Sequence, residues 1–280
     1  MPMKIILSRK GFDSGAGGCP SPIFPDGSML SLPIPDKGSS MAYEDLLWQG
    51  RRLSDIMAPL AGARLKPSHH AHLDPDLVPE TLPRHSDWRP VLGQTGSAQG
   101  HLRNEGVGPG DLFLFFGLFR KVDAQGRFIR AEPRRHVIWG WLQVDEVIQV
   151  DGHREVLAWA GQHPHVARDP DPSNTLYRAR VDLSLPGCRC NGIPGAGVFP
   201  AFHERLQLSD PSAGKLSTWR LPAWFYPDGG RPALSYHRAL WRWHPALDSV
   251  CLQAVGKGQE FVLNVDQYPE CLPWLSELIS

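Results

Sequence analysis

Cysteine is scarce and scattered. Cys19, Cys188, Cys190, Cys251 and Cys271 are odd in number and far apart, which argues against a secreted disulfide framework and reads as free thiols. An excess of either charge is also missing. Lys plus Arg total 29 and Asp plus Glu total 29 in 280 residues, so the chain is not broadly basic, and any nucleic-acid contact must come from a local patch. Long apolar runs are lacking too: Leu112 to Phe119 is too short to span a bilayer, and Ile5 to Leu7 is too short for a signal-peptide core. These absences lead to the expectation of a cytoplasmic protein with no membrane partner. Familiar site motifs are missing as well. The glycines at 15, 17 and 18 and at 195 and 197 lack dinucleotide-loop spacing, and "GKG" from Gly256 lacks the rest of a P-loop. No Gly-x-Ser-x-Gly elbow occurs, and Cys188 and Cys190 have the wrong spacing for a zinc knuckle.

What the chain does have is Gly (28) and Pro (27) placed between short β-like runs, with 41% hydrophobic residues to fill a core. This composition predicts an α+β fold: a mixed, curved β-sheet or a partly closed barrel, with flanking helices and long loops. Strands and helices do not alternate, so a doubly wound parallel sheet is excluded. Met3 to Leu7 reads as a buried strand. Leu46, Leu47, Leu53, Ile56 and Met57 have helical spacing, with Gly50 weakening or splitting the helix and Pro59 ending it. "GVGPGDLFLFFGLFRK", "VDAQGRF" and "HVIWGWLQVDEVIQV" read as a turn and strand, a hairpin tip and a long partner strand. "YPECLPWLSELI" closes the chain as a helix.

Three stretches carry candidate chemistry. In "SRKGFDS", Ser8, Lys10 and Asp13 are the candidate catalytic groups, with Arg9 as a phosphate ligand and Ser14 beside them. A Lys near a carboxylate serves as nucleophile or proton carrier, whereas the structural alternative is a salt bridge with Asx turns. In "HHAHLDPD", an extended backbone would set His70, His72, Asp74 and Asp76 on one face, as candidate metal ligands or as a solvated loop. In "SYHRALWRW", Tyr236, His237, Arg238 and Arg242 mix cations with aromatics, which suits phosphates and exposed bases as well as it suits a core segment with snorkelling arginines. Trp139, Trp141, Trp224 and Trp241 are further stacking candidates.

"KIILSRKGFDSGAGGCPSPIFPDGSMLSLPIP", with "HLDPDL", "GVGPGDLFLFFG" and "GQEFVL", resembles the bacterial and phage family called nucleotide modification associated domain 3 over nearly the whole chain. The resemblance implies one family-length unit over residues 1–280 and association with systems that make modified or hypermodified DNA bases. Its motifs touch Ser8, Arg9, Lys10, Asp13, Ser14, His72, Asp74, Asp76, Gly110, Asp111, Gln259 and Glu260. Separately, "GPGDLFLFFG" followed by "HVIWGWLQVDEVI" resembles PUA-like domains of the EVE and ASCH type. That likeness implies a small barrel core over about residues 105–265 that holds a flipped or modified base, with Trp139 among its pocket candidates.

Three functions are expected from these readings. The first is an enzyme of a DNA-modification pathway acting on a flipped base or free nucleotide; the second is a PUA-like reader of modified DNA. The third is a metal-dependent hydrolase at His70, His72, Asp74 and Asp76. The partners expected are DNA or nucleotides and other enzymes of such a pathway, and the sequence names no cofactor.

Overall fold

Short apolar runs cut by Gly and Pro fold into short strands, most of them drawn into one sheet. The computed structural model describes residues 3–13, 15–188, 190, 192–256 and 260–279. In chain order the elements begin with β1 (Lys4–Arg9), β2 (Ser21–Ile23), β3 (Ile34–Pro35), β4 (Leu47–Trp48), β5 (Arg51–Arg52), α1 (Leu53–Ala61), β6 (Ala71–His72), β7 (Val91–Gln94) and α2 (Gly96–Asn104). They continue with β8 (Leu112–Lys121), β9 (Arg135–Gln149), α3 (Pro164–Ala167), β10 (Thr175–Ala179), β11 (Ala196–Val198), β12 (Thr218–Pro222), β13 (Trp243–Pro245), β14 (Ser249–Gln253), β15 (Glu260–Asn264) and α4 (Cys271–Ile279). None of the described helices is long and apolar enough to cross a membrane.

The main sheet runs β15-β1-β8-β9-β10-β7, with β2 added on β8 and β11 on β9. Leu112 to Phe119 are all buried because β8 is a central strand covered on both faces. β1 lies between β8, to which it is parallel, and β15, to which it is antiparallel. The last strand of the sheet is thereby locked to the first, with Ser8 directly opposite Glu260. The α+β expectation holds as a large mixed sheet with few helices. The barrel alternative is not supported: among the described residues no backbone ladder joins edge strands β7 and β15. The sheet nevertheless curves until a side chain spans the gap, Gln94 donating to Glu260.

Two local expectations change. Gly50, at φ 74, sits in the turn between β4 and β5, so the segment from Leu46 splits into a hairpin and then α1. Pro59 does not end α1, which runs on to a C-cap at Gly62. Both long strands of the central hairpin form as read, Leu112 to Phe119 pairing with Gln143 to Arg135.

The core on one face is aromatic. Trp219 is fully buried, lies 5.1 Å from Phe116 in an edge-on contact, and donates through Nε1 to His136 Nδ1 at 3.0 Å. Truncating Trp219 to Ala is expected to cost about 3–5 kcal/mol in denaturant unfolding. Burial pushes the His136 imidazole down to about 3 and the His237 imidazole down to about 4, so both are neutral in the folded chain at neutral pH. Both take up protons on unfolding once the pH falls below about 6.5. Their contribution is complete above that value and is lost as the pH drops towards the folded values, at about 1.4 kcal/mol per pH unit for each ring. Urea unfolding between pH 7 and pH 4.5 checks this; stability that stays level over that range would mean that the rings are solvated.

Candidate functional site

Alternation along β1 divides "SRK" between two faces. Ser8 and Lys10 face one way, and Arg9 faces the other. Ser8 is buried, and its Oγ donates to Glu260 Oε1 at 3.1 Å across the β1–β15 pair. Lys10 continues the ladder past β1, its N–H donating to the Phe116 carbonyl at 2.8 Å, and this carries its side chain to Asp74. Lys10 Nζ lies 3.0 Å from Asp74 Oδ2, with the two side chains only 10% and 3% exposed.

Asp74 is the hub. Its Oδ1 accepts the Gly93 N–H at 2.6 Å and lies 3.4 Å from His163 Nε2. Burial alone would raise its pKa, but the Lys10 ammonium and His163 hold it well below the usual carboxylate range. Glu260 behaves in the opposite way. Burial raises its pKa against the pull of Lys10 and the donors Ser8 and Gln94, and the charge of Asp74 raises it further. Among the described residues, Glu260 Oε2 and His163 Nε2 are buried without a hydrogen-bond partner.

Two more imidazoles complete the cluster. His72 Nδ1 is 2.7 Å from Asp36 Oδ2, and Asp36 is held below its ordinary pKa, its own burial being outweighed by bonds from His72 and the Gly38 N–H. A carboxylate only accepts, so His72 donates from Nδ1 and keeps a lone pair on Nε2, which lies 4.0 Å from Asp74 Oδ2. Asn174 Nδ2 donates to the His165 carbonyl at 2.7 Å, which leaves Asn174 Oδ1 to accept from His165 Nδ1 at 2.7 Å. The lone pair of His165 is therefore also on Nε2. Burial pushes this imidazole down to about 3 despite the nearby Asp74. The His72 and His165 rings meet edge-on at 5.3 Å, and ligand atoms of His72, Asp74 and His165 lie within 4.8 Å of one another. Gly93 makes room for this: a Cβ there would sit 2.3 Å from the His165 ring.

The other candidates scatter. Asp13 Oδ1 accepts the Gly15 and Ala16 N–H groups, both at 2.7 Å, and so holds its own turn. Arg9 packs over Phe116 and lines a cleft with Asp13, His136 and Lys215; burial lowers its pKa, opposed by Asp13. Ser14 and Gln259 lie outside the described residues. His70 is exposed, and Asp76 forms a two-pronged pair with Arg84 at 2.6 and 2.7 Å, so only His72 and Asp74 of the four proposed ligands converge. The single-face expectation fails because strand β6 ends at His72. Asp111 accepts the Lys4 and Gly108 N–H groups and pins its turn to β1.

Trp139 is buried beside an apolar hollow lined by Met29, Leu73, Pro75 and Leu77. His237 is core, accepting the Val255 N–H through Nε2. Tyr236 and Trp241 are exposed, Tyr236 lying 4.4 Å from the His101 ring and Trp241 stacking with Arg242. Arg238 lines a cleft with Lys4, Arg231 and Ser235. Sequence reading missed Asp36, Gln94, His163, His165 and Asn174. The available signal was "HPH" at 163–165, which sets two imidazoles around a Pro that starts α3.

A family model for nucleotide modification associated domain 3 matches residues 4–264. The chain belongs to this family, and with it to proteins associated with nucleotide modification. Comparison with curated proteins and with solved structures gave no match.

Lys10→Ala strands the Asp74 charge in the interior and is expected to cost about 3–5 kcal/mol. Lys10→Ala combined with Asp74→Asn should recover part of that loss in denaturant unfolding, since the neutral amide needs no counter-ion; no recovery would mean that the pair is not coupled.

Proposed function

We infer that the protein is a base- or nucleotide-modifying enzyme that works at the Lys10, Asp74 and Glu260 cluster on a flipped DNA base or a free nucleotide. The observation that carries this reading is a lysine, two carboxyl groups and three imidazoles gathered at a buried point where four distant segments and both sheet edges meet. Burying so many ionisable groups costs stability and is the mark of a functional site more than of a core. Membership of a family associated with nucleotide modification supports a nucleotide or nucleobase as the substrate class.

Each group has a role in this reading. Asp74 stays ionised and fixes Lys10, whose ammonium sits where charge develops on a base or leaving oxygen. Glu260, with its raised pKa and an unpartnered Oε2, carries the proton. Ser8 and Gln94 both engage Oε1 and so orient the carboxyl group. The cleft of Lys4, Arg231 and Arg238 follows the β15 side of the sheet and suits phosphates, and exposed Tyr236 and Trp241 offer faces for stacking.

Glu260→Gln keeps the shape, removes the proton carrier and relieves a buried carboxyl, so it should leave the melting temperature unchanged or raised. Nucleosides digested from DNA of cells carrying the native gene and its neighbours should then lose a modified species by mass spectrometry. A modified species undiminished in this variant would overturn the assignment, and DNA binding with no nucleoside change in any background would make the protein a reader. Arg238→Glu should weaken binding to DNA oligonucleotides and lower the slope of log affinity against log salt by about 1. An unchanged slope would remove that cleft from the phosphate path.

A further inference from the structure

We propose that His72, Asp74 and His165 bind one divalent transition-metal ion. Three independent features of the cluster support this. The first is the donor set: two imidazoles and one carboxylate with ligand atoms within 4.8 Å of one another, a combination that suits zinc, iron or cobalt better than magnesium or calcium. The second is the direction of the lone pairs. Both rings have their Nδ1 hydrogens committed, His72 to Asp36 at 2.7 Å and His165 to Asn174 at 2.7 Å, so both Nε2 atoms are left as ligands. Outer partners of this kind, a carboxylate and an amide carbonyl, are what fix and strengthen imidazole ligands around an ion.

The third feature is the preparation of the surroundings. Gly93 lets the His165 ring come close to the backbone, and its N–H occupies Asp74 Oδ1, which leaves Oδ2 turned to Lys10 and His72. A carboxylate oxygen has two lone pairs, so Lys10 and an ion can share Oδ2. The His72 side chain is 12% exposed and that of Asp36 27%, which gives the ion a way in from solvent. With three protein ligands the ion keeps an open position, the arrangement of a catalytic site and not of a closed structural one. The site shares Asp74 with the proposed cluster but does not rest on the proton-transfer role of Glu260, and its test needs no substrate.

The experiment is titration of the full chain, freed of metal by chelation and desalted, with Co(II) or Zn(II) alone, reading cobalt absorption and the metal-to-protein ratio. One equivalent should bind to the wild type, and His72→Ala and His165→Ala should each abolish it. Asp36→Ala removes only an outer partner on a partly exposed loop and should weaken binding roughly 10- to 100-fold with the fold intact. His70→Ala, two residues from His72 but exposed, should bind like the wild type. Absence of a stoichiometric equivalent in the wild type, undiminished binding in the Asp36→Ala and His165→Ala variants, or loss of binding in His70→Ala would each overturn the site. Because the readout is the metal alone, failure here leaves the nucleoside experiment untouched, and the reverse also holds.

Discussion

The buried carboxylate of Asp74 is the constraint around which the site is organised. An ionised group this far from water needs donors, and they come from separate parts of the chain: Lys10 after β1 and the Gly93 N–H in β7, with His163 at the start of α3 3.4 Å away. A backbone bridge between Asp76 and Val91 already sets the Asp74 segment beside β7. The carboxylate adds Lys10 and the His163 segment to that junction, and removing Lys10 leaves its charge without a counter-ion.

The sheet supplies the geometry. β1 is central because β15, the last strand, pairs along its free edge, and this puts Glu260 opposite Ser8 across 252 residues of chain. Curvature then brings β7, at the other edge, close enough for Gln94 to reach Glu260. A flat sheet with the same strand order would keep those two edges apart. Two carboxyl groups consequently share one lysine, one pressed to low pKa by its donors and the other raised by burial. Environments that pull two acids apart in this way divide the roles of fixed charge and proton carrier between them.

The first loop illustrates how one sequence segment serves two purposes. Ser8 and Lys10 enter the cluster, while Arg9 turns to the aromatic side of the sheet over Phe116. Asp13, only three residues after Lys10, caps its own turn by accepting two backbone N–H groups. Proximity along the chain suggested a Lys10–Asp13 pair, but the partner that Lys10 meets is Asp74, 64 residues on. The "SYHRALWRW" stretch divides likewise, with His237 in the core and Tyr236 and Trp241 in solvent.

The amino-acid sequence by itself determined the local elements and named part of the candidate cluster. Apolar runs with turn residues at their tips specify the β8–β9 hairpin, and Ser8, Lys10, Asp74 and Glu260 stand among the residues that the family resemblance touches, together with Asp13, Asp76 and Asp111, which the structure places elsewhere. Period-two alternation, however, holds only where strand continues. It failed for His70 to Asp76, because β6 stops at His72 and leaves Asp76 to Arg84. Only the tertiary structure decided that His165 and Asn174 stand beside His72, and that Gln94 closes on Glu260. Contacts across such separations depend on sheet curvature and strand order, which are properties of the assembled core and are not written in any local window of residues.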